Sequence, residues 1–455
     1  MSLTGTSALA VFVAISVASC TKRNPEICCD SAAECTRAGI DGQAHCAEGV
    51  CVNFTCVESG CDDDGDCHDA NHPICISGQC SATTCSDGVL TTLNGDGTAH
   101  VMQPCTFGCA ASGDRCNDLA PSNQLSPYLD MTTTAPDLDL GTMATINTTD
   151  GTITADGKAV VTTNVEVTQT DGPKLRVFIV HSLKALDVSI SGGDAFALVS
   201  DGDIQIGGSF LAKGTLGTPG PGVFNDATCR GGKNKIVGES QIAVSGSGGS
   251  GFGSVGAMGG TAISPDGTAP GGAGGGVTGT PTLIPLRGGC DGGPYVNGMF
   301  GGGGGAIQLV SRATISITGK VGANGAGGYG GASGGGVLLE AAKVDVAGAV
   351  TANGSGGASG CVFAIFGEDG RLDDAPAAPG SIACGNSAGT AGGAGAAGNQ
   401  AAHAGDGDSQ SMDSAFAGFG GGGVGRIRVN TPTTADFHRS GLFSPNPTTG
   451  TTATR

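Results

Sequence analysis

Asp62, Asp63, Asp64 and Asp66 crowd around Gly65 between Cys61 and Cys67. Hard oxygen donors packed around a turn glycine suit Ca²⁺, so this run is the candidate metal site and Ca²⁺ the candidate cofactor. An EF-hand loop would add a bidentate Glu further on, and none stands at the right offset. The competing reading is a solvated acidic loop. His68 and His72 are four apart, but on a cysteine-bounded loop rather than a helix, which argues against zinc.

Two glycine patterns invite other chemistry. Gly325, Gly327 and Gly330 match G-x-G-x-x-G, and Gly331-Ala-Ser333-Gly-Gly335 matches a nucleophile elbow. The first must open a helix that receives a pyrophosphate, and the second must sit on a strand-to-helix turn. Both run instead into another strand-like segment, so both are read as products of composition. Glycan cleavage would use paired carboxylates or basic groups near an aromatic platform. Glu340, Asp345, Lys343, Arg312 and Lys320 read as outward polar positions of alternating strands. With no Trp and three Tyr, no catalytic constellation emerges and a non-enzymatic protein is expected.

Composition narrows the partners. The 455 residues include 87 Gly, and 40 acidic against 21 basic residues leave a formal charge of −19. Such a surface repels phosphate polymers, so nucleic acid is excluded as a partner. Residues 1–20 carry an apolar run from Ala8 to Ala18 that is too short to span a bilayer and suits an export signal. Val17-Ala18-Ser19-Cys20 resembles a lipobox, which makes Cys20 the expected lipidation site and a membrane the expected anchor. The remaining 18 cysteines fall into even groups: Cys28, Cys29, Cys35, Cys46, Cys51, Cys56, Cys61, Cys67, Cys75, Cys80, Cys85, Cys105, Cys109 and Cys116, then Cys229, Cys290, Cys361 and Cys384. That is the arithmetic of disulfides in an oxidising compartment.

Disulfide modules and β repeats must position these residues. Residues 21–119 form disulfide-rich modules, with a repeat at about 29–56 and 61–85 and a third segment over 85–116. Neither repeat can bury much apolar surface, so cross-links replace a core. Residues 120–150, rich in Pro, Thr, Asp and Ser, read as a linker. Residues 151–431 read as β. AFALVSDGDIQIGGSFLAKG (195–214), AIQLVSRATISITGKVGANG (306–325) and GVLLEAAKVDVAGAVTANG (336–354) align almost without gaps, and RIRVNT (426–431) repeats the first strand alone. Three short strands per unit, recurring, are what a parallel β-solenoid needs. The Asn-Gly ends suit positive-φ corners. The expected fold class is therefore all-β, a short parallel β-solenoid (β-helix) with long glycine-rich loops. Those excursions, about 215–305 and 361–424, are expected as irregular loops stapled by Cys229–Cys290 and Cys361–Cys384. The alternative is that the runs stack as polyproline-II-like helices with backbone hydrogen bonds between them. Residues 432–455 read as a flexible tail.

The CDDDGDC…CISGQC, CTFGC…RC…PSNQL and GGGGGAIQLVS…GGGGVGRIRVNT series resembles exported lipoproteins of myxobacterial type, with Cys-rich modules ahead of glycine-rich β repeats. Compositional PE-PGRS-like labels carry no information here. The resemblance implies an exported, lipid-anchored outer-membrane or cell-surface protein and transfers no functional residue. The expected role is structural or adhesive, displaying glycine-rich loops to extracellular matrix, a glycan or a surface protein. A polysaccharide-active or polysaccharide-binding β-helix, and a Cys-rich partner-binding module on a spacer, are the alternatives.

Overall fold

The computed structural model describes residues 45–47, 50–52, 74–76, 79–93, 99–296, 298–384 and 387–455. The chain divides into two compact units, Met1–Asn117 and Asp118–Arg455, and is all-β, with 36% strand against 3% helix.

In the first unit the cysteine repeat is visible as two equivalent hairpins. His45–Ala47 pairs antiparallel with Val50–Val52, setting Cys46 opposite Cys51. Ile74–Ile76 pairs with Gln79–Ser86, setting Cys75 opposite Cys80. The second hairpin continues into a sheet through Val89–Leu93 and Ala99–Pro104. Cys85 bonds to Cys109 and Cys105 to Cys116. Cys85 therefore belongs to the third segment rather than closing the second repeat.

The second unit stacks successive passes of the chain strand upon strand, in parallel and in register. One column runs Leu175–Val180, Ala195–Ser200, Ala306–Ile317, Gly336–Val346, Arg426–Thr431 and Thr448–Thr451. A second, continuing the same sheet past the bulge between Ser311 and Thr314, runs Leu138–Asp139, Leu183–Ala185, Ile204–Ile206, residues 315–317, residues 344–346 and Phe437–Arg439. A third runs Met143–Asn147, Asp187–Ser191, Ser209–Leu211, Lys320–Gly322, Ala349–Thr351 and Leu442–Ser444. The sheet curls as a half-barrel. Alternate residues point into one core, where Phe178 stacks on Phe196 at 5.3 Å and Phe196 meets Phe210 edge-on at 5.6 Å. At one end the antiparallel strand Thr163–Val167 and the hairpin of Thr152–Ala155 with Lys158–Val160 finish the stack.

Three expectations are corrected. Residues 120–150 are no linker: Leu125, Leu129, Leu138, Leu140 and Ile146 are buried, and Leu138–Asp139 and Met143–Asn147 are strands of the stack. Residues 432–455 are no flexible tail, since Phe437–Arg439, Leu442–Ser444 and Thr448–Thr451 form strands and Phe443 enters the core. The Asn-Gly corners are not left-handed, because none of Asn324, Gly325, Asn353 and Gly354 has positive φ. Instead Asn324 and Asn353 are buried one above the other, Asn324 Oδ1 accepting from the Asn353 N–H at 2.7 Å and Asn353 Oδ1 from Ser444 Oγ at 2.6 Å.

The glycine excursions are not irregular loops. Along 354–360, Gly354, Gly357 and Gly360 donate their N–H groups to the carbonyls of Ala396, Gly393 and Thr390. Ser355 and Ala358 donate to Ala332 and Tyr329, and Gly356 and Ser359 to Glu368 and Ile365. Along 418–425 the same rotation recurs: Phe419, Gly422 and Gly425 donate to Ala358, Ser355 and Ala352, while Gly420 and Gly423 donate to Ser247 and Ser250. A donor that meets the same neighbour every third residue belongs to an extended helix of three residues per turn, the polyproline-II geometry. Residues 246–253 exchange such bonds with six other segments, 229–232, 256–260, 272–275, 290–293, 330–333 and 418–425. Backbones approach so closely that a Cβ on Gly422 would lie nearer than 3.0 Å to the carbonyl of Ala332. Glycine is required here by space rather than by flexibility.

Candidate functional site

Alternation along the second strand column fixes its outer surface. Leu183, Ala185, Ile204, Ile206, Ile315, Ile317, Val344 and Val346 point into the core, so the residues between them point out. In register across the strands these are Asp139, Lys184, Gln205, Ser316, Asp345 and His438. Strands of one sheet lie about 4.8 Å apart. The row thus places one polar side chain per strand along a line about 24 Å long. Beside it the surface hollows into a groove of about 390 Å³, lined by Lys184, Gln205, Ser316 and Asp345 from the row and by Leu186, Asp203, Thr314 and Thr318.

The charges of the row are answered in place. Lys184 lies 3.8 Å from Asp139, and Asp345 takes Lys343 at 2.9 Å and His438 at 2.7 Å. Burial works to raise the Asp345 carboxyl, but Lys343 and His438 outweigh it and hold it below the ordinary carboxylate range. At the centre, the side chains of Gln205 and Ser316 have no hydrogen-bond partner among the described residues. The groove can therefore offer unengaged neutral donors and acceptors, flanked by paired charges, by the Asp203 carboxylate, which accepts the Thr314 N–H at 3.1 Å, and by the half-exposed Leu186.

The first strand column bears a second polar group, and this one is closed. Strand alternation assigns Glu340 an outward, solvated position; it does point away from the core, yet it is 2% exposed. Residues 118–131 cross over it. Glu340 accepts from the Ser122 N–H at 3.1 Å, Ser122 Oγ at 2.7 Å, Gln308 Nε2 at 2.7 Å and Asn430 Nδ2 at 3.0 Å. Asn123 Nδ2 completes the network on Gln308 Oε1 at 2.9 Å. Arg312, also expected outside, is half-buried and clamps both ends of this crossing, bonding Asp118 at 2.6 Å and Asp130 at 3.0 Å. Arg455 bridges the same two carboxylates. These carboxylates are structural, and Glu340 is unavailable to substrate.

The glycine motifs are likewise occupied. The N–H of Gly327 bonds to the Asp369 carboxylate at 2.9 Å, which places an anion where a phosphate would have to sit. Ser333 is fully buried, its hydroxyl accepting the Cys290 N–H at 2.8 Å, so it cannot act as a nucleophile. Lys320 and Lys343 are outward, as alternation requires. Two tyrosines do meet: Tyr295 and Tyr329 stack at 4.5 Å beside Phe366 and Phe419. They face each other, so the stacked faces are already used. Nothing in the local sequence signals this pairing.

Cys229 and Cys290 are joined, closing 61 residues of the glycine array. Cys361 is disulfide-bonded, and the side chain of Cys384 lies outside the described residues. Also outside them are Cys20, the acidic run Asp62, Asp63, Asp64 and Asp66, and the side chains of Cys28, Cys29, Cys35, Cys46, Cys51, Cys56, Cys61, Cys67, Cys75 and Cys80. Cys85, Cys105 and Cys109 cluster as a metal site would, but their sulfurs are spent in disulfides. The cross-links place the chain in an oxidising environment. Among the described residues no helix is long and apolar enough to cross a membrane. No family model matches the chain, and no curated protein or solved structure is similar to it.

Proposed function

We propose that this is a non-enzymatic exported protein, anchored by a lipid on Cys20, that serves as a rigid structural and adhesive body at the cell surface. In this reading the stacked strands are a short parallel β-solenoid, the glycine array is its side wall, and the cysteine modules are a protease-resistant neck. The observation that carries it is the threefold hydrogen-bond lattice of the glycine segments. A lattice that satisfies its backbone internally, with almost no side chains, stiffens a large body without building a catalytic pocket. The glycines themselves are consumed in packing. The surface on offer is the outer side chains of the array and the polar row of the solenoid.

Three measurements test this on the producing cells. Mass spectrometry of the mature N-terminus should find a diacylglyceryl group on Cys20, and surface biotinylation of intact cells should label the chain. Cells lacking it should adhere less to the matrix they normally hold. A chain with an intact Met1 and free thiols, or adhesion unchanged by its loss, would overturn the reading.

A further inference from the structure

The outward row Asp139–Lys184–Gln205–Ser316–Asp345–His438 is a linear feature, and its repeat is set by the strand spacing rather than by any single side chain. A ligand that uses all of it must itself be extended and must present hydrogen-bonding groups along its length. The electrostatics choose among such ligands. The terminal charges are already paired, Lys184 with Asp139 and Asp345 with Lys343 and His438. A polyanion would have to break those pairs and would also meet the Asp203 carboxylate and a chain of net charge −19, while a polycation would be opposed by Lys184 and Lys343. The central Gln205 and Ser316, together with Thr314 and Thr318, offer amide and hydroxyl groups to a neutral partner. Leu186, 38% exposed, and the threonine methyls give a modest apolar floor of the kind that the C–H face of a sugar covers. An extended peptide would bind a sheet by its edge, through main-chain hydrogen bonds. Here the row lies on a face whose backbone is already paired on both sides.

We propose that this groove binds a neutral polysaccharide lying across the strands, its hydroxyls bonded to Gln205 and Ser316. The proposal rests on the adhesive reading and names its partner.

The test uses the full exported chain in native gels cast with hydroxyethylcellulose, dextran or alginate. A neutral polysaccharide should retard it and alginate should not. Gln205→Ala and Ser316→Ala should each weaken retardation about five-fold, one lost hydrogen bond apiece. Ser189→Ala, in the third strand column and outside the groove lining, should leave it unchanged. Both groove positions are solvent-accessible, so the variants should keep the wild-type circular dichroism, and Ser316→Tyr, which fills the groove, supplies an independent block. Retardation by neither neutral polymer, by alginate alone, or equally in wild type and groove variants would overturn the proposal. So would binding of unfolded casein in their place. If cells still adhere through chains carrying Gln205→Ala and Ser316→Tyr, the groove proposal fails and the adhesive reading survives. If surface display or adhesion fails with the groove intact, the adhesive reading fails.

Discussion

Replacing Gly422 by alanine adds one methyl group to a 455-residue chain, and it should be among the most damaging single substitutions in the array. The Gly422 N–H donates to Ser355 at 2.9 Å, and its carbonyl accepts from Ala396 at 2.9 Å. A Cβ would come nearer than 3.0 Å to the backbone carbonyl of Ala332, an approach that real Cβ atoms essentially never show. The obstacle is backbone, so no rotamer change relieves it, and the segment must move by on the order of 1 Å. Overpacking of a closed interior costs about 1–3 kcal/mol. Loosening two buried backbone hydrogen bonds adds about 1 kcal/mol each. Gly422→Ala should therefore cost about 3–5 kcal/mol, read as a fall in the midpoint of guanidinium-induced unfolding followed by circular dichroism. Gly193→Ala is the matched control: its Cβ would meet only Thr149 Oγ1, at 3.7 Å, and should shift stability by no more than about 1 kcal/mol in either direction. Equal midpoints for Gly422→Ala and wild type would refute the lattice, because irregular solvated loops would tolerate the methyl group.

The same packing sets other outcomes. Glu340→Ala leaves the donors of Ser122, Gln308 and Asn430 without their acceptor and should cost about 3 kcal/mol; limited proteolysis should then cut within residues 118–131, which wild type protects. Removing the Cys229–Cys290 bond with paired serines frees a loop of sequence separation 61 and should cost about 4 kcal/mol in the chain-entropy estimate, measured by denaturant titration. The Asp130 carboxyl is held low chiefly by its bond to Arg455, with Arg312 adding to the effect. Its folded pKa lies below its unfolded one, so its stabilising contribution is present above the unfolded value and is lost as pH falls through the folded value. Arg455→Ala should therefore flatten the loss of stability below about pH 4, measured as thermal midpoint against pH.

How much of the fold is legible in the sequence depends on whether a residue's partner is near in the chain. The units at 195–214, 306–325 and 336–354 are visible because their alternation repeats. The pass from Leu175 to Ser191 and the one from Arg426 to Ser444 stack in the same columns. Their turns differ in length, two residues between Val180 and Leu183 and five between Thr431 and Phe437 against three between Ser200 and Ile204, so they do not align as full units. Glu340 has the correct phase, pointing outward, but its burial depends on Ser122, 218 residues away. The segment 120–150 has a linker's composition, and its strands form only against neighbours such as residues 183–191. Glycine content alone cannot separate loop from lattice, since both lack apolar side chains and the lattice is defined by bonds between distant segments. The groove residues Gln205 and Ser316 lie inside units that alternation reveals, whereas Lys184 lies in the pass that does not align. Only the register brings them into one row.

The threefold array also constrains how this chain can change over generations. Every codon one base away from a glycine codon that still encodes a different amino acid adds a side chain, so point mutation is nearly closed to the inner segments. Changes of length are graded differently. Inserting three residues adds one turn of about 9 Å and returns each N–H to the neighbour it faced before. Inserting one residue turns the rest of the segment by about 120° and misdirects every later bond. Related chains should therefore differ in these segments by threes, growing or shrinking a turn at a time while the strands beside them keep their length.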